Sequence, residues 1–209
     1  KPMKKIILVL VAFSISCTNT NRKVVIKDHI TVNNKEVGSL LVGENQEVRN
    51  VVYNFYNWYV NDIYLKNKEY LYSPSFKKLS KGKYGLDIEK YAKHINSITF
   101  FSTKYKKFLI DRTVKCNSIL LEKKWDFNPL EEYYDFEDCQ ECDFIVKEYW
   151  FGSQEEKNGN FSIKNEYKTE GEAFLYYVQD YIDNEVFSTY EIKVVKENNL
   201  YKIDFISVM

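Results

Sequence analysis

Three cysteines are the side chains in this sequence best suited to chemistry. Cys139 and Cys142 have C-x-x-C spacing, and Cys116 precedes them. This spacing suits a redox dithiol or half of a zinc site. Zinc, however, needs about four ligands, and the neighbouring acids would raise the thiol pKa and disfavour the thiolate. We therefore predict a structural disulfide from Cys116 to Cys139 or Cys142, which leaves one thiol over. Unpaired thiols, a redox pair and a metal site are the less favoured alternatives.

No other residues form a recognisable catalytic signature. His94 has no Ser, Cys or Asp at a spacing that suggests a triad, and His29 lies in the N-terminal segment, so neither histidine is expected to act as a base. The acidic run at 131–143 lacks the glycine that calcium loops carry at their tight turn, so a solvated loop is the favoured interpretation. We expect no catalytic residue, no metal and no other cofactor, and hence a protein that is not an enzyme.

Aromatic side chains make up 17% of the chain, and several recur at helical spacing. Apolar residues three and four positions apart predict a helix over about 45–66, with Asn45 as its N-cap. If a pocket lies between this helix and a sheet, Tyr56, Tyr59 and Tyr201 are the residues expected to line it. Plain core packing of these rings is the favoured alternative.

The first residues have the pattern of an export signal. Lys4 and Lys5 precede an apolar run at 6–13, which is well short of the ~20 residues that span a bilayer. Ser14-Ile15-Ser16-Cys17 then resembles the lipobox of bacterial lipoproteins, in a relaxed form. That resemblance implies cleavage before Cys17, acylation of Cys17 and a lipid anchor in the membrane. The expected location is the cell envelope, with the outer membrane facing the periplasm as the default. The alternative is an ordinary cleaved signal peptide.

Length and charge limit the number of domains and the kinds of partner that the protein can have. The chain has 209 residues, and 30 Lys and Arg balance 30 Asp and Glu, so no nucleic-acid partner is indicated. We expect a signal peptide at 1–16, then the lipidated cysteine, a tether and an N-terminal segment at 17–43. A single domain is expected at 44–209.

The spacing of the apolar residues changes along this domain, from the helical period of about 3.6 residues to the strand period of about 2. A second helix is predicted to begin at Asp87, which acts as its N-cap, and a third helix is predicted to begin near Ser102. Alternating residues then predict strands, and these lie at 144–151, 172–181, 190–196 and 201–207, with a hairpin turn at 198–199 and a short edge strand at 24–26. Helices followed by an antiparallel meander indicate an α+β domain.

Four segments, in order, resemble the DUF3828 domains of bacterial envelope proteins. They are the aromatic helix at 51–60, Phe100-Phe101-Ser102 with Tyr105, Trp125-Asp126-Phe127-Asn128-Pro129-Leu130, and the strand at 199–206. Asn128 stands where the family usually has Asp, and Tyr201 where it has Trp. The resemblance spans about 45–208. It implies a cystatin-like or NTF2-like fold, with N-terminal helices packed on a curved antiparallel sheet, and it implies no reaction.

Together these features predict a lipid-anchored cell-envelope protein with a non-catalytic binding or accessory domain. Its ligand is an unknown protein or small molecule. One alternative is a periplasmic immunity or inhibitor protein that blocks a toxin or hydrolase. Another is an enzyme with an NTF2-like pocket, which would need a polar dyad at the base of an apolar cavity.

Overall fold

A computed structural model of the chain describes residues 42–80, 82–132, 134, 136, 139–147, 150–152, 158–164, 169–170 and 173–209. Within these ranges helices pack against antiparallel sheets, and the predicted α+β class is confirmed. The predicted signal peptide, Cys17, the tether, the strand at 24–26 and His29 lie outside the described residues. Part of the acidic run at 131–143 does so as well.

The predicted aromatic helix is present as α1, Val42–Trp58, which continues as a π-helical turn over Tyr59–Tyr64. Because the helix begins before Asn45, the prediction that Asn45 is its N-cap is wrong. An N-cap residue has a non-helical backbone, and Asn45 lies inside the helix. None of the helices in the described ranges combines the length and apolarity that a bilayer crossing requires.

Two further helices begin at the residues that the sequence predicts. In α2, Ile88–Ser97, the Asp87 side chain accepts a hydrogen bond from the Lys90 amide at 3.3 Å. In α3, Thr103–Glu122, Ser102 Oγ accepts one from the Tyr105 amide at 2.9 Å. Each cap satisfies an amide that has no partner within its helix.

A two-stranded hairpin that the sequence did not predict precedes α2. It pairs β1, Phe76–Ser80, with β2, Lys83–Leu86. The Leu86 amide donates to Asn117 Oδ1 of α3 at 2.6 Å, and a Cβ on Gly85 would lie 2.9 Å from that same oxygen. A larger residue at position 85 would therefore have to displace the Asn117 side chain that accepts from Leu86.

The main sheet is antiparallel and open, in the order β3–β5–β6–β7, and short β4 also pairs with β5. Its strands are β3 Phe161–Lys164, β4 Thr169–Glu170, β5 Ala173–Ile182, β6 Glu185–Glu197 and β7 Leu200–Val208. The predicted strands at 172–181, 190–196 and 201–207 are confirmed in β5, β6 and β7, except that position 172 lies outside the described residues. The predicted turn is also confirmed, since Asn198 and Asn199 both have positive φ, as the tight hairpin turns require.

The strand predicted at 144–151 is wrong. The structure has a short helical turn, α4, over Phe144–Lys147, and a bend follows it at Trp150 and Phe151. Phe144, Trp150 and Phe151 are all buried. Adjacent residues of a strand point to opposite faces of a sheet. The bend instead lets the neighbouring rings of Trp150 and Phe151 enter the same core.

The core lies between α1 and the facing side of the main sheet. Phe55 of α1 is fully buried, with its ring centroid 5.2 Å from Phe101 and 6.0 Å from Trp150. On the sheet, Tyr190, Ile192 and Val194 of β6 alternate inward. A continuous layer of aromatic and β-branched side chains therefore holds α1 on the sheet.

The start of α3 is attached to β7 through its backbone and through one buried carboxylate. The Ser102 amide donates to the Ile203 carbonyl at 2.8 Å, and the Ile203 amide donates to the Phe100 carbonyl at 2.9 Å. Ser102 Oγ donates to Asp204 Oδ1 at 2.7 Å, and Lys104 Nζ lies 3.4 Å from Asp204 Oδ2. Both Ser102 and Asp204 are buried, so this bond links the helix cap directly to the strand.

Replacing Asp204 with Ala is expected to lower the free energy of unfolding by about 1–3 kcal/mol, because the buried Ser102 hydroxyl loses its acceptor. The matched control is Asp111→Ala, which breaks an exposed pair with Lys107 one helical turn away. That change is expected to cost less than about 0.5 kcal/mol. Urea unfolding of the three proteins measures both values. Equal losses in the two variants would contradict the role assigned to Asp204.

Candidate functional site

The three tyrosines predicted to line a pocket lie in different surroundings. Tyr56 is fully buried, and its ring lies 5.8 Å from Phe161 and 6.3 Å from Tyr190. Tyr201 is 8% exposed and meets Phe174 edge-on, with ring centroids 5.7 Å apart. The rings of Tyr56 and Tyr201 therefore pack in the core around α1 and the sheet.

Tyr59 borders a small cavity whose volume is about 30 Å³. Glu69, Tyr91 and Arg112 also line it, and the Arg112 guanidinium lies 4.2 Å from the centre of the Phe144 ring. A cavity of this size has room for about one water molecule. It is too small to be a ligand pocket.

A much larger groove lies on the other side of the sheet, with a volume of about 440 Å³. Its walls come from the start of α3 and from β5, β6 and β7. The lining residues are Lys104, Tyr105, Phe108, Leu175, Tyr177, Glu191, Lys193, Asp204 and Phe205. The volume falls in the range typical of small-molecule sites.

Strand register builds the floor of this groove. Leu175 of β5 pairs with Lys193 of β6, and Lys193 pairs with Phe205 of β7, so these residues form one row across three strands. Residues directly opposite one another in an antiparallel sheet lie on the same face. This face is the one opposite α1, because Ile192 and Val194, on either side of Lys193, are buried in the core.

Aromatic residues of α3 form the facing wall. The Phe205 ring lies 5.8 Å from both Tyr105 and Phe108, measured between ring centroids. Phe108 is 43% exposed and Phe205 is 39% exposed. Exposing large apolar side chains to water is unfavourable. Binding of an apolar ligand group that covers these two rings would therefore be favoured.

Within the described ranges, some of the charged side chains in the groove have partners of opposite charge and others do not. Lys104 pairs with Asp204, and the Tyr177 hydroxyl donates to Glu191 Oε2 at 3.2 Å. Lys193 has no carboxylate within ion-pair distance among the residues that the structure describes. Among the described residues, the groove therefore presents an aromatic wall and the Lys193 ammonium group, which has no carboxylate at ion-pair distance.

Sequence reasoning did not identify this groove. Its apolar members, Leu175, Tyr177 and Phe205, lie on the solvent side of strands whose other side forms the core. One feature of the sequence could have indicated it. Some positions of β5 and β7 that alternation assigns to the solvent-facing side hold apolar residues, where polar ones are expected. Which helix would cover that face cannot be read from strand alternation alone.

The cysteines come together as three buried sulfurs. Cys116 of α3 is disulfide-bonded to Cys142, with an S–S distance of 2.15 Å and a Cα–Cα distance of 5.1 Å. This is one of the two pairings that the sequence left open. Cys139 is the remaining thiol, and its Sγ lies 2.7 Å from Cys142 Sγ. All three Sγ atoms lie within 4.8 Å of one another. The disulfide leaves Cys116 and Cys142 without the thiolates that metal binding needs.

No family model, no curated protein and no solved structure matches this chain. Besides the groove and the cysteines, the described residues include one further buried polar group whose titration bears on stability.

That group is Asp180, which is 3% exposed and lies near Tyr56 and Tyr190. Asp180 Oδ1 accepts a hydrogen bond from the Ser188 amide at 2.6 Å. Burial raises the pKa of Asp180 above its usual value, although backbone donors, including Ser188 and Gly152, act in the opposite direction. Neither the 30 Å³ cavity nor the groove includes Asp180 among its lining residues.

The raised pKa of Asp180 predicts a pH-dependent stability. The folded protein holds this proton more tightly than the unfolded chain does. Protonated Asp180 therefore makes its full contribution to stability below the pKa that Asp has in the unfolded chain, about 4. This contribution is lost as the pH rises through the pKa of Asp180 in the folded protein. The free energy of unfolding of the wild type, minus that of Asp180→Asn, should fall as pH is raised from about 3 to 7. Urea unfolding at several pH values measures this difference.

Asp183→Asn, on the exposed β5–β6 turn, controls for removing one carboxyl group. A difference that rises with pH would contradict the assignment.

Proposed function

We propose that this protein is a lipid-anchored cell-envelope protein whose α+β domain binds a small amphipathic anion without transforming it. The observation that carries the binding is the groove between α3 and the outer face of the sheet. It joins a volume of about 440 Å³ to two half-exposed aromatic rings and to Lys193.

The chemistry of the groove selects the ligand class. Phe108 and Phe205 favour an apolar or aromatic body that covers both rings. Lys193 favours a carboxylate, sulfonate or phosphate group next to that body. Asp204 is paired with Lys104, and the Glu191 carboxylate, which keeps its negative charge, accepts a hydrogen bond from the Tyr177 hydroxyl. A ligand with one anionic group and a flat apolar portion would therefore match the site in both respects.

Anilinonaphthalene sulfonate is a suitable probe, because it combines an aromatic body with one anionic group. We expect the folded protein to bind it, and Phe205→Ser to weaken the affinity about tenfold through loss of one aromatic contact. Lys193→Gln should weaken binding several-fold at low salt and less at high salt, because ions screen the attraction. Fluorescence titration at two salt concentrations measures both effects.

Two matched variants test whether this binding is local to the groove. Phe187→Ser removes another exposed phenylalanine, at the start of β6, and Lys124→Gln removes an exposed lysine just beyond the far end of α3. Both should bind the probe as the wild type does, and near-ultraviolet circular dichroism should show native packing in all variants. Equal effects in the control variants, or no binding by the wild type, would overturn the groove as the ligand site.

The sequence supports the membrane anchor separately from the groove. Lys4 and Lys5, the apolar run at 6–13 and the cysteine at position 17 form the lipoprotein pattern. The DUF3828-like segments point to the same class of envelope protein, of the cystatin-like or NTF2-like type. Acyl chains on Cys17 would hold the domain at the membrane surface, by default on the periplasmic side of the outer membrane.

Intact mass spectrometry of the membrane-extracted protein tests this anchor. The expected mass is that of a chain beginning at Cys17 plus a lipid adduct, and Cys17→Ala should abolish both the adduct and membrane retention. Cys139→Ala is the matched control, since it removes a cysteine of the folded domain and should leave the adduct in place. An unlipidated wild-type mass that begins at another residue would overturn the anchor and would leave the groove proposal standing.

A further inference from the structure

The three cysteines have an arrangement that goes beyond a structural disulfide. Cys139 and Cys142 form a tight turn, in which the Cys142 amide donates to the Cys139 carbonyl at 2.7 Å. Such a turn holds its first and fourth α-carbons less than about 7 Å apart, which is close enough for a disulfide. Cys142 is therefore within bonding reach of a second partner besides Cys116.

The free thiol also lies against the disulfide sulfur that it would have to attack. Cys139 Sγ is 2.7 Å from Cys142 Sγ, and Cys142 Sγ is bonded to Cys116 Sγ. Thiol–disulfide exchange needs a thiol next to a disulfide sulfur and a leaving sulfur on its other side. The cluster holds all three sulfurs in one buried place, lined by apolar residues that include Leu120, Phe136 and Phe144.

We propose that Cys116, Cys139 and Cys142 form a thiol–disulfide exchange centre, in which Cys142 alternates between Cys116 and Cys139 as its partner. The Cys139 thiolate donates an electron pair to Cys142 Sγ and forms the Cys139–Cys142 bond. The Cys116–Cys142 bond breaks, and Cys116 leaves with that bonding pair as a thiolate. Cys116 then takes up the proton that Cys139 gave up. The step needs no oxidant or reductant, because one disulfide and one thiol are present before and after it.

The two isomers differ in what they connect. The Cys116–Cys142 bond joins residues 26 positions apart and ties the segment at 139–147 to α3. The Cys139–Cys142 bond would close only the tight turn, so that non-covalent contacts alone would hold this segment on α3. One such contact is the Phe144 ring against the Arg112 guanidinium. The exchange would therefore switch a covalent attachment of α3 on and off.

The surroundings of Cys139 set the pH range of the step. Burial raises the pKa of its thiol, Glu141 acts in the same direction, and Lys123 acts in the opposite one. Because the thiolate is the attacking species, the exchange rate should rise about tenfold per pH unit while the thiol is mostly protonated. Acid should stop the reaction, so the two isomers can be trapped and counted.

Disulfide mapping tests the proposal on the full chain. The protein is incubated at about pH 8 without added thiol or oxidant, quenched with acid, digested with pepsin and analysed by mass spectrometry. We expect both linkages, Cys116–Cys142 and Cys139–Cys142, and one of the three domain thiols free in each isomer. Only the Cys116–Cys142 linkage at every pH, or three free domain thiols, would overturn the proposal.

Two variants separate exchange from artefacts. Cys139→Ala should show only the Cys116–Cys142 linkage, because the attacking thiol is absent. Cys116→Ala, oxidised with glutathione disulfide, should form the Cys139–Cys142 bond and leave neither thiol free, while near-ultraviolet circular dichroism reports that it is folded. Two free thiols in a folded Cys116→Ala protein would show that the second pairing is not accessible, and would overturn the exchange.

Discussion

The attachment of α3 to β7 is the constraint on which the other features of this protein depend. Ser102 caps the helix and at the same time donates to the buried carboxylate of Asp204, so the helix start and the strand are held by one hydrogen-bonded unit. From that fixed start, α3 places Phe108 over the groove, Arg112 at the small cavity and Cys116 beside the other cysteines. A shift of α3 would move all three at once.

The two faces of the main sheet have different roles. On one face, Phe55 and Tyr56 of α1 fill the space against Tyr190 and its neighbours, so aromatic side chains there serve packing. On the other face, among the residues that the structure describes, the start of α3 approaches the strands, and Phe205 remains partly exposed. The same residue types therefore build a core on one side and leave a groove on the other, because one face is covered by a whole helix and the other by part of one.

How far the sequence predicted the structure depended on the range of the interactions involved. The cap Asp87, the start of α3 near Ser102, the turn at 198–199 and strands β5 to β7 were predictable, because local hydrogen bonds and the spacing of apolar side chains specify them. The strand predicted at 144–151 was wrong, since burial of adjacent aromatic rings and the nearby disulfide favour a bend. The hairpin β1–β2 was missed because β1, with the sequence Phe-Lys-Lys-Leu-Ser, has no alternating pattern. Its partner β2 is held through a long-range contact, from the Leu86 amide to Asn117 of α3.

The sequence by itself determined the α+β class, the position of the aromatic helix, the starts of α2 and α3, strands β5 to β7, and a cysteine set with one more thiol than a single disulfide uses. These follow from hydrophobic period, cap residues and counting, which act over a few positions in the chain. The tertiary structure alone decided that Cys142 is the partner of Cys116, that Cys139 lies against their disulfide, and that Lys193 and Phe205 share a groove with Phe108. Those facts depend on strand register and on where α3 crosses the sheet. Such contacts join residues far apart in sequence, and no local pattern in the chain specifies them.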